Sequence, residues 1–335
     1  MIVSRSPYRI SFFGGGSDYE NWFSLNGGAF LSMTINYYTY ITLRVKPEFH
    51  EKEFRILWRL AEEVDNIDLI KHPIVKETLK FFNYDKGLDI SYIGDLPGGS
   101  GMGSSSAFTA ALIKALHQDM DKEINPYELA KLSYNIEKNK LNETVGIQDQ
   151  IATAFGGFNS VVINKDGTYQ ISPVNLSTTE FENFISRFVL VYSGQTRRAT
   201  EVAESKVKNM VNKEDDFKSL QHMVPEAKNF LLKNNVDEFG KLMNEAWKIK
   251  RCLSSSVTNK DINELYEFGI SNGAIGGKIL GAGGGGFLLF ACKEGEKDNL
   301  VRSLNKKNKS VVPFKLTNEG TKIIYSERPF KNELF

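Results

Sequence analysis

Residues 95–112 read "DLPGGSGMGSSSAFTAAL", and the fold turns on how this stretch is understood. Gly98, Gly99, Gly101 and Gly103 remove the Cβ atoms that would keep a ligand off the backbone. Ser104, Ser105 and Ser106 supply hydroxyls, and residues 104–118 set Phe108, Leu112, Ala115 and Leu116 along one side of a helix. A helix that starts directly behind bare backbone turns unpaired amides and the positive end of its dipole toward an anion. Phosphate is the first ligand that suits it. A plain loop closed by a capping serine suits the same residues, and an isolated Gly/Ser run does not separate the two.

The rest of the chain narrows the choice. With 335 residues there is room for one large domain or two ordinary ones. A net charge of +1 makes neither nucleic acid nor an anionic membrane a favoured partner. Apolar runs are too short to span a bilayer and "MIVSRSPYRI" is no signal peptide, so a soluble cytoplasmic protein is expected. Cys252 and Cys292 lie far apart, the histidines (His50, His72, His117, His222) are scattered, and neither CxxC nor HExxH occurs. That pattern points to a reducing compartment and away from a structural zinc site.

Strand and helix signals alternate without internal repeats. "MIVSRSPYRISFFGG" and "YYTYITLRVKP" read as strands, the second ended by Pro47. Asn125, Pro126 and Glu128 spell a helix start with a capping box. "FNSVVINKDGTYQISPV" predicts a hairpin turning at Asp166-Gly167. "SRFVLVYSG" reads as a buried strand leading into a helix near Ala199, followed by charged helices over 215–234 and 236–251. A boundary near residue 175 divides the chain into residues 1–175 and 176–335.

Three glycine-rich segments need a joint account: "SPYRISFFGGGSDY" (6–19), the stretch above, and "GGKILGAGGGGFLLF" (276–290). No GxxxxGK[ST] occurs, which excludes a Walker-type loop. Gly281, Gly283 and Gly286 match GxGxxG, but the "FLLFA" that follows is a strand where a dinucleotide fold needs a helix. In order and content the three segments, with "GIQDQIATAFGG" between the second and third, resemble the GHMP small-molecule kinases over nearly the whole chain.

That resemblance implies an α+β protein of two domains. The N-terminal one would be a mixed sheet under helices that binds ATP, the C-terminal one a ferredoxin-like α/β sandwich, with the active site between them. Pro97 to Ser106 (Pro97, Gly98, Gly99, Ser100, Gly101, Met102, Gly103, Ser104, Ser105, Ser106) would form the loop around the ATP phosphates. Asp149 matches the catalytic aspartate that takes or orients the acceptor proton, and Arg9 the cation beside it. Ser105 and Glu137 match the ligands of Mg²⁺, a cation that suits hard oxygen donors. Without the resemblance, Glu137 would read as a solvated helix residue, Asp149 as a cap and Arg9 as an edge-strand cation.

The form "RISFFGGGSD", with "GIQDQIATAFGG" and "YSGQTRRA", is most similar to the family branch of heptose 7-phosphate kinases and fucokinases, which act on anomeric hydroxyls. The expected partner is therefore a small sugar phosphate, with no nucleic acid or membrane, and a homodimer is an open assembly. Gly15, Gly16 and Asp18 would face the sugar, and Gly284 and Gly285 would approach the substrate or phosphates, unless that glycine run is only a structural bulge. A phosphate already on the sugar would need further cations. Arg197, with Arg198, is the first choice at a helix start; Lys250 and Arg251 are the second. Two rival classes remain: a different enzyme of the same superfamily, acting on a free sugar or an isoprenoid precursor, and a non-catalytic sugar and ATP sensor, which would be expected to lack Asp149, Glu137 or Arg9.

Overall fold

The protein is described here by a computed structural model covering residues 1–47, 53–196 and 199–327. Its strands are β1 (Ile2–Phe13), β2 (Gly28–Val45), β3 (Phe54–Leu57), β4 (Ala61–Val64), β5 (Leu88–Gly94), β6 (Phe158–Ile163), β7 (Tyr169–Pro173), β8 (Phe188–Tyr192), β9 (Ala274–Ile279), β10 (Phe287–Cys292), β11 (Val311–Val312) and β12 (Lys322–Ser326). β2 begins well before the "YYTY" run because residues 28–35 are buried without alternation, so no period-2 pattern marks them.

β2 organises the first sheet. It pairs with β1 along one edge, while its other edge meets β6 over residues 28–33 and β5 over residues 39–45. The sheet runs β12-β1-β2-β5-β3-β4, with β6 and β7 branching from β2; the β3–β5 pair is parallel and its other pairs antiparallel. Helix Ser104–Asp119 lies against β1 and β2, and Ala107, Ala110, Ala111 and Ala115 on it are fully buried. Those small residues let the helix approach the sheet closely, and Ser4 Oγ donates to Ala111 O at 2.7 Å across the contact. The capping box at Asn125 forms, and the helix it starts, Pro126–Asn135, widens into a π-type turn over Ile136–Lys140 that carries Glu137.

The second sheet is antiparallel in the order β11-β8-β10-β9, the strand order of a ferredoxin-like sandwich, backed by helices Val236–Cys252, Lys260–Ser271 and Lys297–Lys306, while helix Glu214–Leu232 packs on Val236–Cys252 and against β1 and β2. The expected α+β architecture, mixed sheet first and ferredoxin-like sandwich second, is the one observed. The chain then returns to the first sheet, where β12 pairs with β1.

An aromatic cluster joins the two sheets. Phe12 of β1 has its ring centroid 5.6 Å from that of Phe158, 5.7 Å from Phe184 and Phe188, and 5.5 Å from Phe239. Such pairs contribute about 0.5–1.5 kcal/mol each beyond their buried area. Residues of both sheets therefore share one core, and that core holds the walls of the cleft between them in a fixed relation.

Candidate active site

A cleft of about 1040 Å³ opens where the end of β1, the Gly-rich loop and the second sheet converge. The loop reaches it through left-handed turns at Gly99, Gly101 and Gly103, and Gly103 (φ 76°) stands as the cap of helix Ser104–Asp119. Arg9 N donates to Met102 O at 3.0 Å and Phe287 N to Ser100 O at 3.2 Å, so a strand from each sheet grips the loop. This grip explains why Ser100 and Met102 are fully buried and face away from the cleft.

The glycines serve the same contact. A Cβ on Gly101 would stand 2.6 Å from Leu280 O, and one on Gly286 (φ 93°) would stand 2.1 Å from Ser100 O. The third glycine-rich segment thus lies backbone to backbone on the second, and that approach, more than ligand space, demands glycine there. Gly284 and Gly285 are not among the residues lining the cleft: Gly284 N donates to Val257 O at 2.8 Å, and a Cβ on Gly285 would meet Gln195 O at 2.9 Å. Gly281 and Ala282 line the cleft in their place.

Arg9 and Asp149 form its centre. Arg9 Nε and Nη2 donate to the two carboxylate oxygens of Asp149 at 2.8 and 2.7 Å, and Nη1 donates to Gly101 O at 2.7 Å. The fork therefore fixes the carboxylate against the phosphate loop, with planar two-point geometry that lysine lacks. Helix Gln148–Phe155 delivers Asp149 in its first turn.

Asp18 lies deeper. Its carboxylate accepts from Gly16 N at 2.9 Å and Gln148 N at 3.4 Å, and it packs on the bare Cα of Gly146, where a Cβ would fall 2.0 Å from Oδ2. Burial raises its pKa. Gly15 and Gly16 line the cleft beside it.

On the opposite wall Glu137 is fully buried and accepts on Oε2 from Ser106 Oγ at 3.0 Å and Gln150 Nε2 at 2.8 Å. Among the described residues its Oε1 has no hydrogen-bond partner, and burial pushes its carboxyl up to about 8. A buried carboxyl group with an unpaired oxygen, lining the same cleft as Ser105, fits a hard divalent cation such as Mg²⁺, whose charge would hold it ionised. Ser106, rather than Ser105, is the serine bonded to Glu137.

Three buried lysines complete the lining, of which the sequence offers Lys250 alone as a ligand for a substrate phosphate. Lys278 Nζ donates to Phe12 O at 2.7 Å, and Lys250 Nζ donates to Ile279 O at 2.8 Å and Gly281 O at 2.7 Å. Lys206 comes from helix Ala199–Lys208. Burial brings Lys206 down to about 8 and Lys278 to about 7, and drives Lys250 well below the usual lysine range. Lys250, a candidate for a substrate phosphate, is thus committed to two backbone carbonyls. Arg197, the other candidate, falls outside the described residues, as does Arg198. Beyond the phosphate loop the cleft continues to Trp58, Arg59, Lys71 and Pro73, none of which carried a sequence signal.

A glycine-walled helix start, a forked Arg–Asp pair and a buried oxygen donor set, all facing one cavity, define a phosphotransferase that handles a nucleotide triphosphate. The chain belongs to the GHMP kinases. Its residues 68–157 match the GHMP kinases N terminal domain and residues 227–310 the GHMP kinases C terminal model. It is accordingly an ATP-dependent phosphotransferase. It is 29% identical to a D-glycero-alpha-D-manno-heptose 7-phosphate kinase of Campylobacter jejuni, over 96% of this chain and 98% of that protein. It is 27% identical to a bifunctional fucokinase/GDP-fucose pyrophosphorylase of Arabidopsis thaliana, over 88% of this chain but 30% of that much longer protein. Among solved structures, a D-glycero-D-manno-heptose 1-phosphate kinase from Bacteroides thetaiotaomicron superposes with a TM-score of 0.80 at 25% identity, covering 97% of this chain and all of that one (100%). No helix among the described residues is long and apolar enough to cross a membrane.

Proposed function

We propose that the protein is a sugar 1-kinase that moves the γ-phosphate of ATP to the anomeric hydroxyl of D-glycero-D-manno-heptose 7-phosphate, giving the 1,7-bisphosphate. The observation that carries this reading is the end-to-end similarity to a heptose 7-phosphate kinase, joined to a cleft whose acceptor side holds a buried carboxylate, Asp18. In this reading residues 1–175 form the ATP-binding half and residues 176–335 the second half, working in the cytoplasm where ATP is supplied. The phosphates of ATP lie on the loop from Pro97 to Ser106 and the start of helix Ser104–Asp119, and the base reaches toward Trp58.

Asp149 accepts or orients the proton of the acceptor hydroxyl, and Arg9 holds that carboxylate in place while facing the transferring charge. Ser105 and Glu137 would hold Mg²⁺, which supplies charge neutralisation to the phosphates. Asp18 accepts hydrogen bonds from ring hydroxyls. Transfer forms the bond from the anomeric oxygen to phosphorus and breaks the bond to the β-phosphate oxygen, leaving ADP.

The test is an ATP-consumption screen over free hexoses, heptoses and their phosphates, with ³¹P and ¹³C NMR to locate the new phosphate. Preference for heptose 7-phosphate with the new group at C1 supports the reading. Faster turnover of free fucose or mannose replaces it with a fucokinase-like activity, the reading to which the Arabidopsis relative's name points.

A further inference from the structure

The cations of the cleft are unequally occupied. Arg9 is bound to Asp149 and Gly101 O, Lys250 to two carbonyls and Lys278 to Phe12 O. Lys206 differs. It is 4% exposed, it lines the cleft, and among the described residues its ammonium has no hydrogen-bond partner. Its Nζ lies 5.8 Å from the centre of the Tyr19 ring.

A buried ammonium carries three donors, and leaving them unmet is costly. Nearby charge compensates only in part: Asp18 and then Asp149 favour the protonated form, while Arg9 opposes it. The side chain is held there by helix geometry, since Val202, Ala203, Lys206 and Met210 form the buried stripe of helix Ala199–Lys208 and its end, and Lys208 points to solvent. The group is therefore fixed in the cleft and waits for an acceptor atom.

We infer that Lys206 binds the phosphate acceptor, its ammonium donating to an oxygen of the sugar seated between Asp18 and Asp149, as the donor counterpart of Asp18. The ligand atom is a neutral hydroxyl or ring oxygen. A dianionic phosphate in that position would face two carboxylates, whereas a hydroxyl can donate to Asp18 and accept from Lys206 at once. Asp18 and Lys206 would together select a polyhydroxylated acceptor and fix its orientation, with Asp149 left to the reacting oxygen.

This inference rests on the sugar-kinase reading, and the experiment separates the two. Lys206→Met and Lys206→Arg are assayed beside the wild type on the best acceptor of the screen, on its dephosphorylated form and on ATP. Loss of a charged hydrogen bond predicts a rise of about 10- to 100-fold in the KM of Lys206→Met for both sugar forms. The KM for ATP should stay within about twofold of wild type by the same reasoning, since no ATP contact is lost. Lys206→Arg, which keeps the charge, should recover part of the loss. Fluorescent-nucleotide affinity and the melting temperature of each variant report folding independently. An unchanged acceptor KM, a rise confined to the phosphorylated sugar, or a rise in the KM for ATP instead would each overturn the assignment. A wild-type enzyme that phosphorylates no sugar at all refutes the sugar-kinase reading itself.

Discussion

Burying a lysine in a phosphate-binding cleft should cost stability that the ligand restores, and Lys278 offers a measurable case. Its side chain is buried in the cleft wall, its ammonium bonded to Phe12 O and brought from 10.5 down to about 7 by burial, with Arg9 and Lys206 adding to the effect. Between pH 7 and 10.5 the unfolded chain holds a proton on this residue that the folded protein has released. Stability from this group therefore rises with pH across that window, and below pH 7 the full penalty applies. At 1.36 kcal/mol per pH unit, the gap sets a ceiling of about 5 kcal/mol on the penalty. Lys278→Met removes that penalty and also removes the bond to Phe12 O, worth about 1 kcal/mol. The ligand-free variant should then outlast the wild type near pH 6.5 by up to about 4 kcal/mol, or roughly 8 °C in Tm at about 2 °C per kcal/mol. The difference should shrink steadily and change sign to a small loss by about pH 10, where only the lost hydrogen bond remains. MgATP should narrow the difference at neutral pH, because Lys278 lines the cleft in which the phosphates are proposed to lie. Differential scanning fluorimetry from pH 6 to 10, with and without nucleotide, measures all of this. A variant that is less stable at every pH, or a difference that does not vary with pH, refutes the reasoning.

Asp149→Asn should lower kcat by about 10²- to 10⁴-fold while nucleotide affinity persists. Stopped or continuous ADP-release assays check the rate, and a modest drop in Tm is expected as well, because Arg9 is 3% exposed and loses half of an ion pair. Gly101→Val should destabilise the protein and weaken ATP binding together, since the new Cβ strikes Leu280 O, whereas Gly98→Ala, with nothing within 4 Å of its Cβ position, should leave Tm unchanged. Equal melting curves for Gly101→Val and wild type would show that the loop and the third glycine segment are not packed as described. Glu137→Gln and Ser105→Ala should each shift the Mg²⁺ titration of activity to higher concentration; unshifted titrations in both would remove them as metal donors.

Much of the site was legible because its residues sit in short, locally ordered motifs. The bare backbone of 98–103 followed by an apolar helix face, the capping box at Asn125 and the Asp166-Gly167 turn are local physics, and each forms as the sequence implies. Family resemblance then singled out Arg9, Asp18, Glu137 and Asp149, four residues that the fold brings to one cleft. What the sequence could not supply was contact between distant segments. That Gly101 and Gly286 are needed for backbone to lie on backbone appears only when residues 98–103 meet residues 280–287. Lys206, Lys208 and Lys250 are alike as letters in charged stretches and Lys278 stands alone among glycines, and whether such an ammonium is solvated, spent on a carbonyl or left open to a ligand depends on the walls folded around it. Helical spacing from Val202 and Ala203 places Lys206 on a buried stripe, but only the fold sets that stripe beside Tyr19, within the field of Asp18 and in the lining of the cleft. Sequence determined the chemistry that could be present; tertiary structure decided which charges are buried, because desolvation is a property of all the neighbours at once.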